Sequence, residues 1–145
     1  MREIKFRAWD ITYKKMYDVR GLNLENNRPA FFYGETHCLT RKQKNNSSWI
    51  LRQFTGVQDL SGLDIYEGDI ILVSKVEDNF VYSIDESEDI KVGDVGEVFY
   101  ASCHFALKMD LHIPDLSDLL SDQRVMNCEV IGNIYENPEL LDKNP

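Results

Sequence analysis

Gln53 to Ile71 read QFTGVQDLSGLDIYEGDII. Three glycines, Gly56, Gly62 and Gly68, stand among Asp59, Ser61, Asp64 and Asp69, with apolar runs on either side. Glycine adopts positive φ at little cost, and short carboxylate and hydroxyl side chains bind backbone N–H groups in tight turns. The stretch therefore reads as a strand, a hairpin, a very short strand at Ile65-Tyr66, a second turn at Glu67-Gly68-Asp69, and a strand at Ile70 to Val73 buried on nearly both faces. Successive short strands joined by sharp turns are what closing a small barrel requires. On this reading Gly56, Gly62, Gly68 and Asp69 are structural turn residues, and the stretch carries shape rather than chemistry.

Upstream, Trp49 to Thr55 alternates and reads as a strand, as does the N-terminus, where Ile4, Phe6 and Ala8 alternate with Lys5, Arg7 and Trp9. Asp10 to Lys15 (DITYKK) reads as a hairpin connection and Lys15 to Val19 as the returning strand. Residues 20–30 are rich in Asn, Gly and Pro and read as loop, and Ala30 to Tyr33 as a short strand. The polar run RKQKNNSS at 41–48 marks the expected boundary between an N-terminal arm, 1–48, and a main domain, 49–145. Downstream, Phe80 to Ile84, Gly96 to Tyr100, Cys103 to Met109 and Val125 to Ile134 are strand candidates, and DESED at 85–89 is an acidic loop. Pro114 to Ser121 has the proline, the early aspartates and the leucine spacing of a short helix. Pro138 to Leu141 reads as a last helical turn able to plug a barrel end. The expectation is a mainly β chain: a small SH3-type barrel from about Trp49 to Ile134, an N-terminal β-hairpin arm, and one or two short helices.

The chain has 145 residues, 43% of them apolar and 28% charged, which suits a globular protein with one core. The N-terminus MREIKFRAWD interleaves charge, so no signal-peptide run is expected, and no stretch approaches the length of a membrane helix. The three cysteines Cys38, Cys103 and Cys128 then read as free thiols of a cytoplasmic protein. Net charge is −9 and unevenly placed. Residues 1–55 hold eleven Lys/Arg against five Asp/Glu, and residues 56–145 hold five against twenty. The basic third has three options: to lie on the acidic remainder of its own chain or of a neighbour, to face an outside anion, or to be spread over a solvated surface.

Chemistry-bearing patterns are sparse. His37-Cys38 and Cys103-His104 are mirrored pairs, but adjacent residues on a strand point to opposite faces, and no C-x₂₋₄-C knuckle is present. Glu67 and Asp69 flank Gly68, where turn capping by Asp69 already accounts for the residues. The 85–89 run lacks the spacing of a calcium loop. Neither a nucleophile elbow nor a phosphate-binding P-loop is present. The expectation is therefore not an enzyme, with no cofactor and no metal.

Binding surfaces are the better candidates. Lys5, Arg7 and Trp9 share one strand face, with Lys14 and Lys15 at the hairpin, so these five are the candidate contacts for nucleic acid or a protein partner. Arg2, Arg41, Lys42, Lys44 and Arg52 complete the basic set. A sequence pI near 4.7 counts against a dedicated nucleic-acid binder. Tyr66, Tyr82, Phe99 and Tyr100 are candidates to line a peptide groove.

Four segments, REIKFRAWDITYKKM, LRQFTGVQDLSGLDIYEGDII, GEVFY and EVIGNIYENPELL, together resemble the YopX family of phage and prophage proteins from Gram-positive bacteria. The resemblance covers both ends and the centre, not residues 20–48 or 76–93. It implies a small β-barrel domain of SH3 type in a phage-encoded protein acting inside the host cell. It carries over no activity and no functional residue. Members of the family often have a Lys-rich turn where this chain has Val57-Gln58-Asp59-Leu60-Ser61, so an anion contact there is not expected here. The reading placed first is a non-enzymatic accessory protein, a homo-oligomeric module that binds a host or phage protein. A nucleic-acid-binding regulator using the basic arm comes second, and a small metal-dependent enzyme third. No membrane partner is expected.

Overall fold

The computed structural model describes residues 3–19, 21–23, 30–33, 37–40, 49–76, 90–101, 104–109 and 126–143. The strands among them are β1 (Phe6–Asp10), β2 (Lys15–Val19), β3 (Gly21–Asn23), β4 (Ala30–Tyr33), β5 (His37–Thr40), β6 (Trp49–Gln58), β7 (Asp64–Tyr66), β8 (Asp69–Val76), β9 (Val95–Ala101), β10 (His104–Lys108) and β11 (Met126–Asn133). A 3-10 helix follows at Pro138–Lys143. The protein is mainly β, its strand pairs are antiparallel, and one sheet is curled into a half-barrel. The expected strand at 80–84, the acidic loop at 85–89 and the helix at 114–121 lie outside the described residues, as do Cys103 and the 41–48 run.

Two compact units divide the chain, Met1–Phe54 and Thr55–Pro145. The boundary expected from the sequence lies between 48 and 49; the pairing of β1 with Trp49–Gln53 ties the start of β6 to the first unit. In that unit β1 is central, flanked by β2 and β6, and β3, β4 and β5 form a separate three-stranded sheet. The loop expected over 20–30 thus contains a strand: Gly21, Leu22 and Asn23 pair with Phe32, Phe31 and Ala30. Main-chain pairing to a neighbour overrides the turn propensity of those residues.

In the second unit the sheet order is β10-β9-β8-β11. Its core gathers Ile65, Ile71, Val73, Ile90, Val98, Phe105, Leu107, Met109 and Cys128. Ile70 and Ile71 are both fully buried, as a central strand covered on both faces demands. Glycine allows the close packing. A Cβ on Gly96 would stand 2.7 Å from Cγ of Leu107 and 2.8 Å from Cγ of Met109. One on Gly132 would stand 2.7 Å from Oδ1 of Asn137 and 2.9 Å from Cδ1 of Leu140, where the 3-10 helix comes against β11.

Candidate interaction surfaces

The 53–71 stretch builds turns, and its polar side chains are occupied by backbone. The hydroxyl of Thr55 donates to the carbonyl of Ile65 at 2.9 Å, joining β6 to β7. Oδ1 of Asp59 accepts from the N–H of Ser61 (2.9 Å), the hydroxyl of Ser61 (2.7 Å) and the N–H of Leu63 (2.9 Å). Its Oδ2 accepts from the N–H of Val130 at 3.2 Å, a link across 71 residues. Burial raises the Asp59 carboxyl, but the bonds from Ser61, Leu63 and Val130 outweigh it, and the group lies below its usual value of 3.8. Oδ2 of Asp69, itself buried, accepts from the N–H of Tyr66 at 2.7 Å and closes the second turn. Glu67 is half-buried rather than fully solvated.

Gly56, Gly62 and Gly68 all have positive φ. Gly62 and Gly68 stand at turns, but Gly56, at φ 96°, lies inside β6 and not at a turn. There it stands within a strand whose residues Trp49–Gln53 pair with β1 and which also neighbours β7.

The 59–63 turn also guards a sheet edge. β11 is the outermost strand of its sheet, and the N–H of Leu60 donates to the carbonyl of Cys128 at 3.2 Å beside the Asp59–Val130 bond. Register shifts at Asn127/Cys128 and Val130/Gly132 break the edge further. A covered and bulged edge resists pairing with another chain. Beside this turn a depression of about 220 Å³ is lined by Asp59, Leu60, Ser61, Leu63, Glu129 and Val130.

The basic strip is differently built from its expected form. Lys5 precedes β1, pairs with Glu3 at 3.1 Å and lies 5.0 Å from the ring centre of Phe54. Nε of Arg7 donates to Oδ1 of Asp18, directly opposite on β2, at 3.2 Å. Trp9 is only 6% exposed and Arg52 only 2%, so neither offers a surface for stacking or phosphate contact. Period-two alternation marks two faces, and at the C-terminal end of β1 both are covered, Ala8, Trp9 and Asp10 alike. Lys14 and Lys15 remain exposed at the hairpin, with Lys15 5.3 Å from the ring centre of Tyr17. Of the peptide-groove candidates, Tyr66 is buried, Phe99 half-buried and Tyr100 exposed with its ring 5.1 Å from that of Phe105, while Tyr82 lies outside the described residues.

Of the cysteines, Cys128 is a buried free thiol that burial pushes up to about 12, so at neutral pH it is held as the neutral thiol. Among the described residues no group of three or more His, Cys, Asp or Glu is placed to hold a metal ion. Among them, too, no helix is long and apolar enough to cross a membrane.

The YopX protein family model matches residues 5–142. The chain belongs to the YopX family. The crystal structure of protein EF1440 from Enterococcus faecalis superimposes with a TM-score of 0.61 over 97% of this chain and 99% of that one, at 24% identity. That likeness establishes the fold alone. No curated protein matches. The YopX-like segments named above now have physical roles. Gly96 in GEVFY admits Leu107 and Met109, and Gly132 in EVIGNIYENPELL admits Asn137 and Leu140. Asn133 accepts the N–H groups of Tyr135 (3.1 Å) and Glu136 (3.0 Å), closing the turn before the 3-10 helix.

Proposed function

We propose that this YopX protein is a phage- or prophage-encoded accessory protein working in the host cell as a non-enzymatic, oligomeric protein-interaction module. Its second unit is taken as a small barrel of SH3 type, a reading supported by the curled half-barrel sheet. The observation that carries the proposal is the division of charge between the units. Thr55 is neutral, so Met1–Phe54 holds eleven Lys/Arg against five Asp/Glu and Thr55–Pro145 five against twenty. Units of opposite sign draw the unlike unit of a neighbour, speed encounter and set orientation. The phage setting rests on the family resemblance. Burial of Trp9 and Arg52 weakens the nucleic-acid alternative, whose remaining contacts are the hairpin lysines.

Light scattering at low salt and at roughly 1 M salt, where the Debye length falls to about 3 Å, tests the assembly. The expected result is a species larger than one chain at low salt that shifts toward the monomer at high salt. Capture from host lysate, with and without nuclease, tests the partner: a stoichiometric protein surviving nuclease supports the module. A monomer at both salts that retains no protein overturns the proposal. Retained nucleic acid, with proteins lost after nuclease, favours the regulator instead.

A further inference from the structure

We infer that the β1–β2 hairpin tip of one copy docks into the depression beside the 59–63 turn of a second copy, an inference that rests on the oligomeric reading above. The tip is rigid. Oδ1 of Asp10 accepts from the N–H of Thr12 at 2.8 Å and of Tyr13 at 3.1 Å, and Asp10 itself is buried. Lys14, at φ 50°, closes the turn in the left-handed region. Held this way, Ile11 is 46% and Tyr13 70% exposed, with the exposed cations of Lys14 and Lys15 beside them. An aromatic and an aliphatic side chain presented on a fixed turn bind with little ordering cost.

The depression fits such a visitor. Its volume of about 220 Å³ is below the roughly 300 Å³ at which pockets for drug-sized ligands begin. It suits one or two inserted side chains rather than a cofactor. Its wall offers Leu60 and Leu63, 51% and 42% exposed. The carboxylate of Asp59 is occupied by four hydrogen bonds. The charge facing outward is that of exposed Glu129. Apolar meets apolar, and the two lysines meet the carboxylate of Glu129. Tip and depression are different surfaces, so the contact is heterologous: it joins copies head to tail, into a ring if the rotation closes.

Tyr13→Asp and Leu60→Asp in the full chain test the contact by sedimentation equilibrium. Both positions are exposed, so both variants are expected to keep the wild-type urea midpoint. Each alone is expected to weaken self-association about tenfold or more, as loss of a central contact does. Mixed in equal amounts they are expected to form a heterodimer, because the Leu60 variant keeps its tip and the Tyr13 variant keeps its depression. Variants that associate as the wild type does overturn the docking and leave the oligomeric module standing. Weakened variants that do not recombine also overturn it. A wild type that is itself monomeric overturns both readings.

Discussion

Replacing Asp59 with alanine removes four acceptor contacts at once. Ser61 and Leu63 are exposed, so water takes over most of what their N–H groups lose, and the local cost resembles that of a lost cap, about 0.5–2 kcal/mol. Val130 is half-buried, and its N–H, left without the carboxylate, adds about 1–3 kcal/mol. The Leu60–Cys128 bond depends on the same turn. The expected loss is therefore about 1.5–5 kcal/mol, read as a fall in the urea midpoint at unchanged slope. Asp59→Asn keeps one oxygen but turns an N–H₂ toward one of the donors, and is expected to fall between wild type and alanine. The pH dependence has a definite sign. Asp59 in the folded chain lies below its usual 3.8, so as pH falls the unfolded chain takes up the proton first. Its contribution is present above that value and is lost as pH drops through the folded-state pKa. Asp59→Asn is thus expected to flatten the stability profile below about pH 4. An alanine variant within about 0.5 kcal/mol of wild type, or an acid limb unchanged by the asparagine, would refute the reasoning.

Other positions give independent checks. Gly96→Ala places a methyl against the buried Leu107 and Met109 and is expected to cost about 1–3 kcal/mol by urea denaturation; a neutral result would mean the β9–β10 packing is looser than described. Lys14 occupies a region that costs a side-chain-bearing residue roughly 1–2 kcal/mol, of which glycine's larger unfolded-state entropy returns roughly 0.5–1. Lys14→Gly is therefore expected to stabilise the chain by up to about 1 kcal/mol, and a lowered melting temperature would count against the assigned turn. The Cys128 thiol, near 9 when unfolded and about 12 when folded, makes stability fall as pH rises through that window, with a limiting slope of about 1.4 kcal/mol per pH unit. Peptide mapping after alkylation at pH 8 is expected to find Cys128 unmodified in the native chain and modified in urea; labelling without urea would contradict its burial.

The local rules carried far into this fold because turn chemistry is local. Gly62, Gly68 and Asp69, and Oδ1 of Asp59, act within a few residues of themselves, through positive φ or a short carboxylate, and β2 and β4 span the residues expected of the hairpin's returning strand and of the short apolar run. The short β7 and the buried run of β8 follow the same logic. Turn propensity misled at two places, Gly21–Asn23, which pair with β4, and Gly56, which lies inside β6.

For the candidate surfaces the balance was different. The alternation of Lys5, Arg7 and Trp9 names a face but not what covers it, and Trp9 is buried in the folded chain. Arg52 carries no sequence mark that separates it from a surface cation, yet it is fully buried. The hairpin lysines stayed outside because a turn between strands has no neighbouring strand to cover it. The Asp59–Val130 bond and the depression beside it join residues far apart in the chain, and no spacing rule reaches them. What the sequence determined by itself is most of the strands, the tight turns at Gly62 and Gly68, and the family, since each rests on neighbours along the chain; β3 and β5 came only with their pairing to β4. Which charged and aromatic residues face water, and which turn closes which sheet edge, was decided by the tertiary structure, because burial is a property of what packs against a strand and not of its neighbours along the chain.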